Sequence, residues 1–96
     1  MSRMYLVTFD GLSETRDAVT SFLDSQDEIT DWHTSMQNSV LVVTDLDVVA
    51  LRELMRKGPV RRFLVVGVDA RDFNRRVSGW LPRATWDFIK RRQPAE

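Results

Sequence analysis

Cysteine is absent from the 96 residues, which excludes disulfides, thiolate metal sites and cysteine nucleophiles together. Histidine occurs once, at His33. A serine–histidine–acid triad would have to be built around that single ring, and no serine is marked out to partner it. Long apolar runs are missing too. None approaches the roughly 18 consecutive apolar residues of a membrane span, and Asp10 interrupts the N-terminal stretch "MSRMYLV" before it reaches the length of a secretory signal. The chain has no glycine-rich phosphate loop, no Gly-x-Ser-x-Gly and no His-Glu-x-x-His. At this length there is room for one domain with one core, and the profile points to a cytoplasmic protein with no membrane partner.

Net charge is also zero, but by cancellation. Residues 1–50 carry two bases against nine acids, a net of −7, and residues 51–96 carry twelve bases against five acids, a net of +7. The C-terminal half can therefore supply a basic surface for a polyanion or for an acidic face of another subunit.

The apolar pattern defines six core elements. "MYLVTF" (Met4–Phe9) reads as a strand, and "SETRDAVTSFLDS" as a helix over Ser13–Ser25. Ser13 is its expected N-cap, and Ala18, Val19, Phe22 and Leu23 its buried stripe. "EITDWHTSM" reads as an edge strand with Thr30, Trp32, Thr34 and Met36 on one side and Ile29, Asp31, His33 and Ser35 on the other. "SVLVVT" (Ser39–Thr44) is apolar on both faces. A helix capped by Thr44 or Asp45 then runs to about Lys57, where Gly58 and Pro59 stop it. "RRFLVVGV" (Arg61–Val68) is the fourth strand.

The order βαββαβ predicts an α+β, ferredoxin-like sandwich over residues 1–69: a four-stranded antiparallel sheet, strand order 4-1-3-2, with both helices on one face. Another small α+β sandwich is the alternative. Residues 70–96 form a C-terminal extension, a short strand and/or a helix with Pro82 in its first turn, in which Trp80 and Trp86 pack onto the sheet. Two helices cover only one side of a sheet that is apolar on both, and the fourth strand is an edge with core composition. The extension, a second copy, or both must cover what remains, which points to a homodimer.

Candidate chemistry centres on two features. Asp10 ends the first strand, and a pair of Asp10 carboxylates across a dimer would hold Mg²⁺ or Mn²⁺ for phosphodiester hydrolysis. An Asp-Gly turn is the plainer alternative. Arg61, Arg62, Arg71, Arg75, Arg76, Arg91 and Arg92 are candidates for binding nucleic acid, because planar guanidinium groups match phosphate oxygens. The alternative is that they pair with the N-terminal acids.

"YLVTFD", the "DWH" strand, "SVLVVTD", "FLVVGVD" and the ending "GWLPRATWDFIKR" resemble the small SinR-like proteins. These are relatives of the CRISPR-associated adaptation protein Cas-two and, more distantly, of the VapD ribonuclease toxins. The resemblance implies a ferredoxin-like homodimer whose C-terminal segments add to the partner's sheet edge. It also implies that Asp10 matches the metal-binding aspartate proposed for phosphodiesterase relatives, a residue that relatives merely clamping nucleic acid can dispense with. The nuclease relatives carry polar and basic residues after that aspartate, whereas Gly11 and Leu12 follow here. The expected function is a dimeric module binding DNA or RNA through an arginine-rich surface. The alternatives are a metal-dependent endonuclease using Asp10 and a non-enzymatic protein-interaction adaptor.

Overall fold

A computed structural model of the chain describes residues 2–11, 13–34, 36–68 and 82–91, with Ser13 described by its backbone. Along the chain run β1 (Arg3–Phe9), α1 (Ser13–Asp24), β2 (Ile29–His33), β3 (Ser39–Thr44), α2 (Val48–Met55), β4 (Phe63–Val68) and α3 (Arg83–Arg91). The strands form one antiparallel sheet in the order β2-β3-β1-β4. This is the ferredoxin-like arrangement that the element order predicts.

Alternation along β1 divides its side chains between two layers. Tyr5, Val7 and Phe9 join Val40 and Val42 of β3 beneath Val19 and Leu23 of α1 and Leu51, Leu54 and Met55 of α2. The Tyr5 hydroxyl donates to the Leu46 carbonyl at 2.7 Å, tying the β3–α2 connection to the central strand. Met4, Leu41 and Val43 face the other way and meet Phe88 and Ile89 of α3, with Leu6, Val68 and Trp86 packed around them. The C-terminal helix thus covers part of the second apolar face, with Trp86 packed on the sheet as expected. Among the described residues, Leu64 and Val66 on edge strand β4 remain 61% and 44% exposed.

Several local expectations need correction. Thr44 does not cap α2. It is still in the ladder, opposite Arg3, and its hydroxyl donates to the Glu28 carbonyl at 2.6 Å. Asp47 is the cap, its carboxylate accepting from the Ala50 N–H at 2.8 Å. Ser13 is the first helical residue of α1, not the residue before it. Ala18 lies on the exposed side of that helix, one step of about 100° from fully buried Val19. Pro82 precedes α3, its carbonyl accepting from Thr85 and Trp86.

Strict alternation also fails in β2. A register shift between Ile29 and Asp31 inserts an extra residue, so Ile29 and Trp32 both pack towards the helix layer. Asp31 and His33 pair with Val43 and Leu41 and so share the α3 face. The short strand expected within residues 70–78 and the position of Trp80 lie outside the described residues. Among the described residues, no helix is long and apolar enough to cross a membrane.

One glycine has a conformational task. Gly11 has φ of +147°, in the region that disfavours side chains, and a Cβ there would overlap the Thr15 side chain. Gly11→Ala is expected to destabilise the fold by about 1–3 kcal/mol. A denaturant midpoint equal to that of the native chain would disprove the assignment.

Candidate functional site

The end of β1 is where polar chemistry gathers. Asp10 follows the last β1 residue and is exposed. Its N–H donates to the Arg62 carbonyl at 3.4 Å, a long bond that carries the β1–β4 pairing one step past the strand. Its carboxylate lies 3.7 Å from the exposed Arg62 guanidinium. The sequence reading thus placed Asp10 correctly at the sheet rim. Among the described residues no three His, Asp or Glu side chains come together as a metal-ligand set. One carboxylate beside a guanidinium is a poor solitary site for a divalent cation, which favours several oxygen ligands and is repelled by the neighbouring positive charge.

Asp10 and Arg62 border an open groove of about 510 Å³ on the sheet end, with Thr8, Asn38, Ser39, Met36 and Leu64 among its lining residues. The register explains its floor. Ser39 and Leu64 are the cross-strand partners of Thr8 on its two sides, so the three side chains form one row across β3, β1 and β4 on the α3 face. Neighbouring strands are about 4.8 Å apart, which makes the row roughly 10 Å wide. The α3 contacts lie with Met4, Leu41 and Val43, towards the other end of the sheet, and leave this row open. Met36, 47% exposed, comes from the β2–β3 turn as one wall.

The floor has an unusual feature. Ser39 is only 6% exposed, and neither its hydroxyl nor that of Thr8 has a hydrogen-bond partner among the described residues. Buried hydroxyls without partners are uncommon in folded proteins, because leaving one unpaired costs about 1–3 kcal/mol.

A basic stretch of the chain leads into the groove-lining Arg62. The sequence "RKGPVRR" contributes Arg56, Lys57, Arg61 and Arg62, all exposed, with no acid between them. Arg56 is occupied: it donates to both carboxylate oxygens of Glu53 at 3.2 and 3.3 Å. That hydrogen bonding, helped by the charges of Arg56 and Arg52, holds the Glu53 carboxyl below its ordinary range against a small effect of burial. Lys57 and Arg61 have no ion-pair partner among the described residues.

Three of the candidate arginines belong to the described residues. Arg62 lines the groove, and exposed Arg61 precedes it in the chain. Arg91 belongs to α3 and lies 5.4 Å from the Phe88 ring centroid. Arg71, Arg75, Arg76 and Arg92 lie outside the described residues. His33 is half-buried beneath α3, with Nε2 2.9 Å from the Thr85 hydroxyl and its ring stacked on Phe88 at 5.1 Å. That environment gives it a packing role. Lys57 was overlooked, although its place between two basic pairs is visible in the sequence. The hydroxyl row was missed because it depends on register between strands far apart in the chain. Set against known proteins, the chain matches no family model, no curated protein and no solved structure.

Proposed function

We propose that this chain is a nucleic-acid-binding module acting as a homodimer, comparable with the SinR-like and Cas-two proteins that its sequence resembles. The observation that carries the reading is the exposed Arg62 on an open groove, with the exposed cations Lys57 and Arg61 close to it in the chain. Such cations recognise phosphates and release counterions when they do so. The exposed Val66 on edge strand β4 supports association with a second copy. Binding of duplex DNA and duplex RNA, titrated from low to physiological salt, tests the reading. Affinity should fall steeply as salt rises; absence of binding at low salt, where attraction between charges is least screened, rejects it.

A second reading is favoured by the place of Asp10 at the groove mouth. Two Asp10 carboxylates from associated copies would hold Mg²⁺ or Mn²⁺ and cleave a phosphodiester. Asp10→Asn separates the readings. For a binding module the substitution removes a negative charge 3.7 Å from Arg62 and should tighten binding several-fold. For a metal-dependent endonuclease it should abolish cleavage in Mg²⁺ or Mn²⁺. Equal cleavage by both proteins would remove Asp10 from any mechanism.

A further inference from the structure

The groove has properties that a phosphate-binding surface does not need. Duplex backbone contacts require exposed cations and donors, which Lys57, Arg61 and Arg62 provide by themselves. The groove adds two exposed apolar side chains, Leu64 at one end of the floor row and Met36 from the β2–β3 turn, around the hydroxyls of Ser39 and Thr8. The floor holds the hydroxyls of Ser39 and Thr8, which have no partner among the described residues, one of them on a residue more than nine-tenths buried. A ligand that fits has flat apolar faces, a hydrogen-bonding edge and an anionic group that can reach Arg62.

We infer that the groove takes one unpaired nucleotide of a nucleic-acid strand, its base edge on Ser39 and Thr8 and its phosphate on Arg62. This rests on the nucleic-acid reading and names the form of nucleic acid preferred. Each hydroxyl can donate or accept, so the floor satisfies the polar edge of any base and imposes no strong sequence preference. Leu64 and Met36 pack against the faces of the base, and volumes of this order suit a small planar ligand. The three-strand row is wide enough for one base and too narrow for a pair. Charge complementarity makes the occupant strand-borne: exposed Arg61, the chain neighbour of Arg62, is available to an adjoining phosphate. Asp10 opposes the phosphate and prevents Arg62 from acting as an indiscriminate anion trap.

The experiment compares a blunt duplex, the same duplex with a short single-stranded overhang, and a single strand, in DNA and RNA forms, at low salt. Overhang and single strand should bind about tenfold more tightly than the blunt duplex. Leu64→Ala and Ser39→Ala should erase that preference and leave blunt-duplex binding unchanged, whereas Arg61→Ala should weaken every probe to a similar degree. Both groove substitutions are mild for the fold, since Leu64 is exposed and the Ser39 hydroxyl has no partner among the described residues; Ser39→Ala should unfold at the same denaturant concentration or higher. Equal binding of blunt and overhang probes overturns the inference but leaves the nucleic-acid reading standing. So does a preference that survives Leu64→Ala and Ser39→Ala, or a nucleoside monophosphate that shifts the Thr8 and Ser39 amide resonances when the overhang does not. Failure of every probe to bind at low salt rejects both.

Discussion

Replacing Phe88 by alanine is expected to lower stability by about 3–5 kcal/mol. Phe88 is 2% exposed and joins three neighbours of different kinds: the Met4, Leu41 and Val43 face, the His33 ring stacked on it, and the Arg91 guanidinium above it. Truncation removes the ring from all of them and leaves a cavity that a nine-residue helix cannot close. Isolated helices of this length are marginal in water, so α3 depends on its packing. A domain of ordinary stability, about 5–15 kcal/mol, then either unfolds or keeps its sheet and releases α3. Urea unfolding followed by tryptophan fluorescence, together with binding of an apolar dye, tells these apart. Dye binding before the main transition identifies release of α3. A loss below about 1 kcal/mol would show that α3 is not what covers this face.

Reversing three charges, Lys57→Glu, Arg61→Glu and Arg62→Glu together, should reduce affinity for duplex DNA or RNA at least about a hundredfold at low salt. Each lost phosphate contact should also lower the slope of log affinity against log salt by about 1. The three side chains are exposed, and among the described residues only Arg62 has an ion pair, itself between two exposed groups. Pairs of that kind contribute little to stability, so the unfolding midpoint should barely move. Unchanged binding by the triple variant would place the nucleic-acid surface elsewhere on the chain.

The architecture was legible because β1, β3 and β4 have two apolar faces and the helices announce themselves by spacing and by Gly58-Pro59. β3 spans Ser39–Thr44 as the sequence predicts. The errors cluster where a local rule competes with a tertiary one. Thr44 is a good capping residue by composition, but the β1 pairing holds it in the ladder. The alternation of "EITDWHTSM" gives the wrong face for Ile29 because a bulge takes up one residue. The strand itself ends at His33, and Met36 becomes a groove wall. At the candidate site, Asp10 and Arg62 could be named from the sequence, but not their proximity. That comes from β1 and β4 lying side by side, and the open hydroxyl row comes from how far α3 reaches. Neither is a property of any short stretch of residues.

The sheet order has a consequence for how the chain matures. β1 is made first, yet both of its partners come later, β3 at residues 39–44 and β4 at residues 63–68. Until roughly two thirds of the chain exists, "MYLVTF" has at least one bare flank. The β2–β3 hairpin, closed by a short turn, can form on its own schedule. Synthesis on the ribosome therefore exposes the N-terminal segment to misassociation for longer than any other strand. A purified fragment ending before Phe63 should bind an apolar dye more strongly than one that includes Val68, because β1 then lacks its β4 partner.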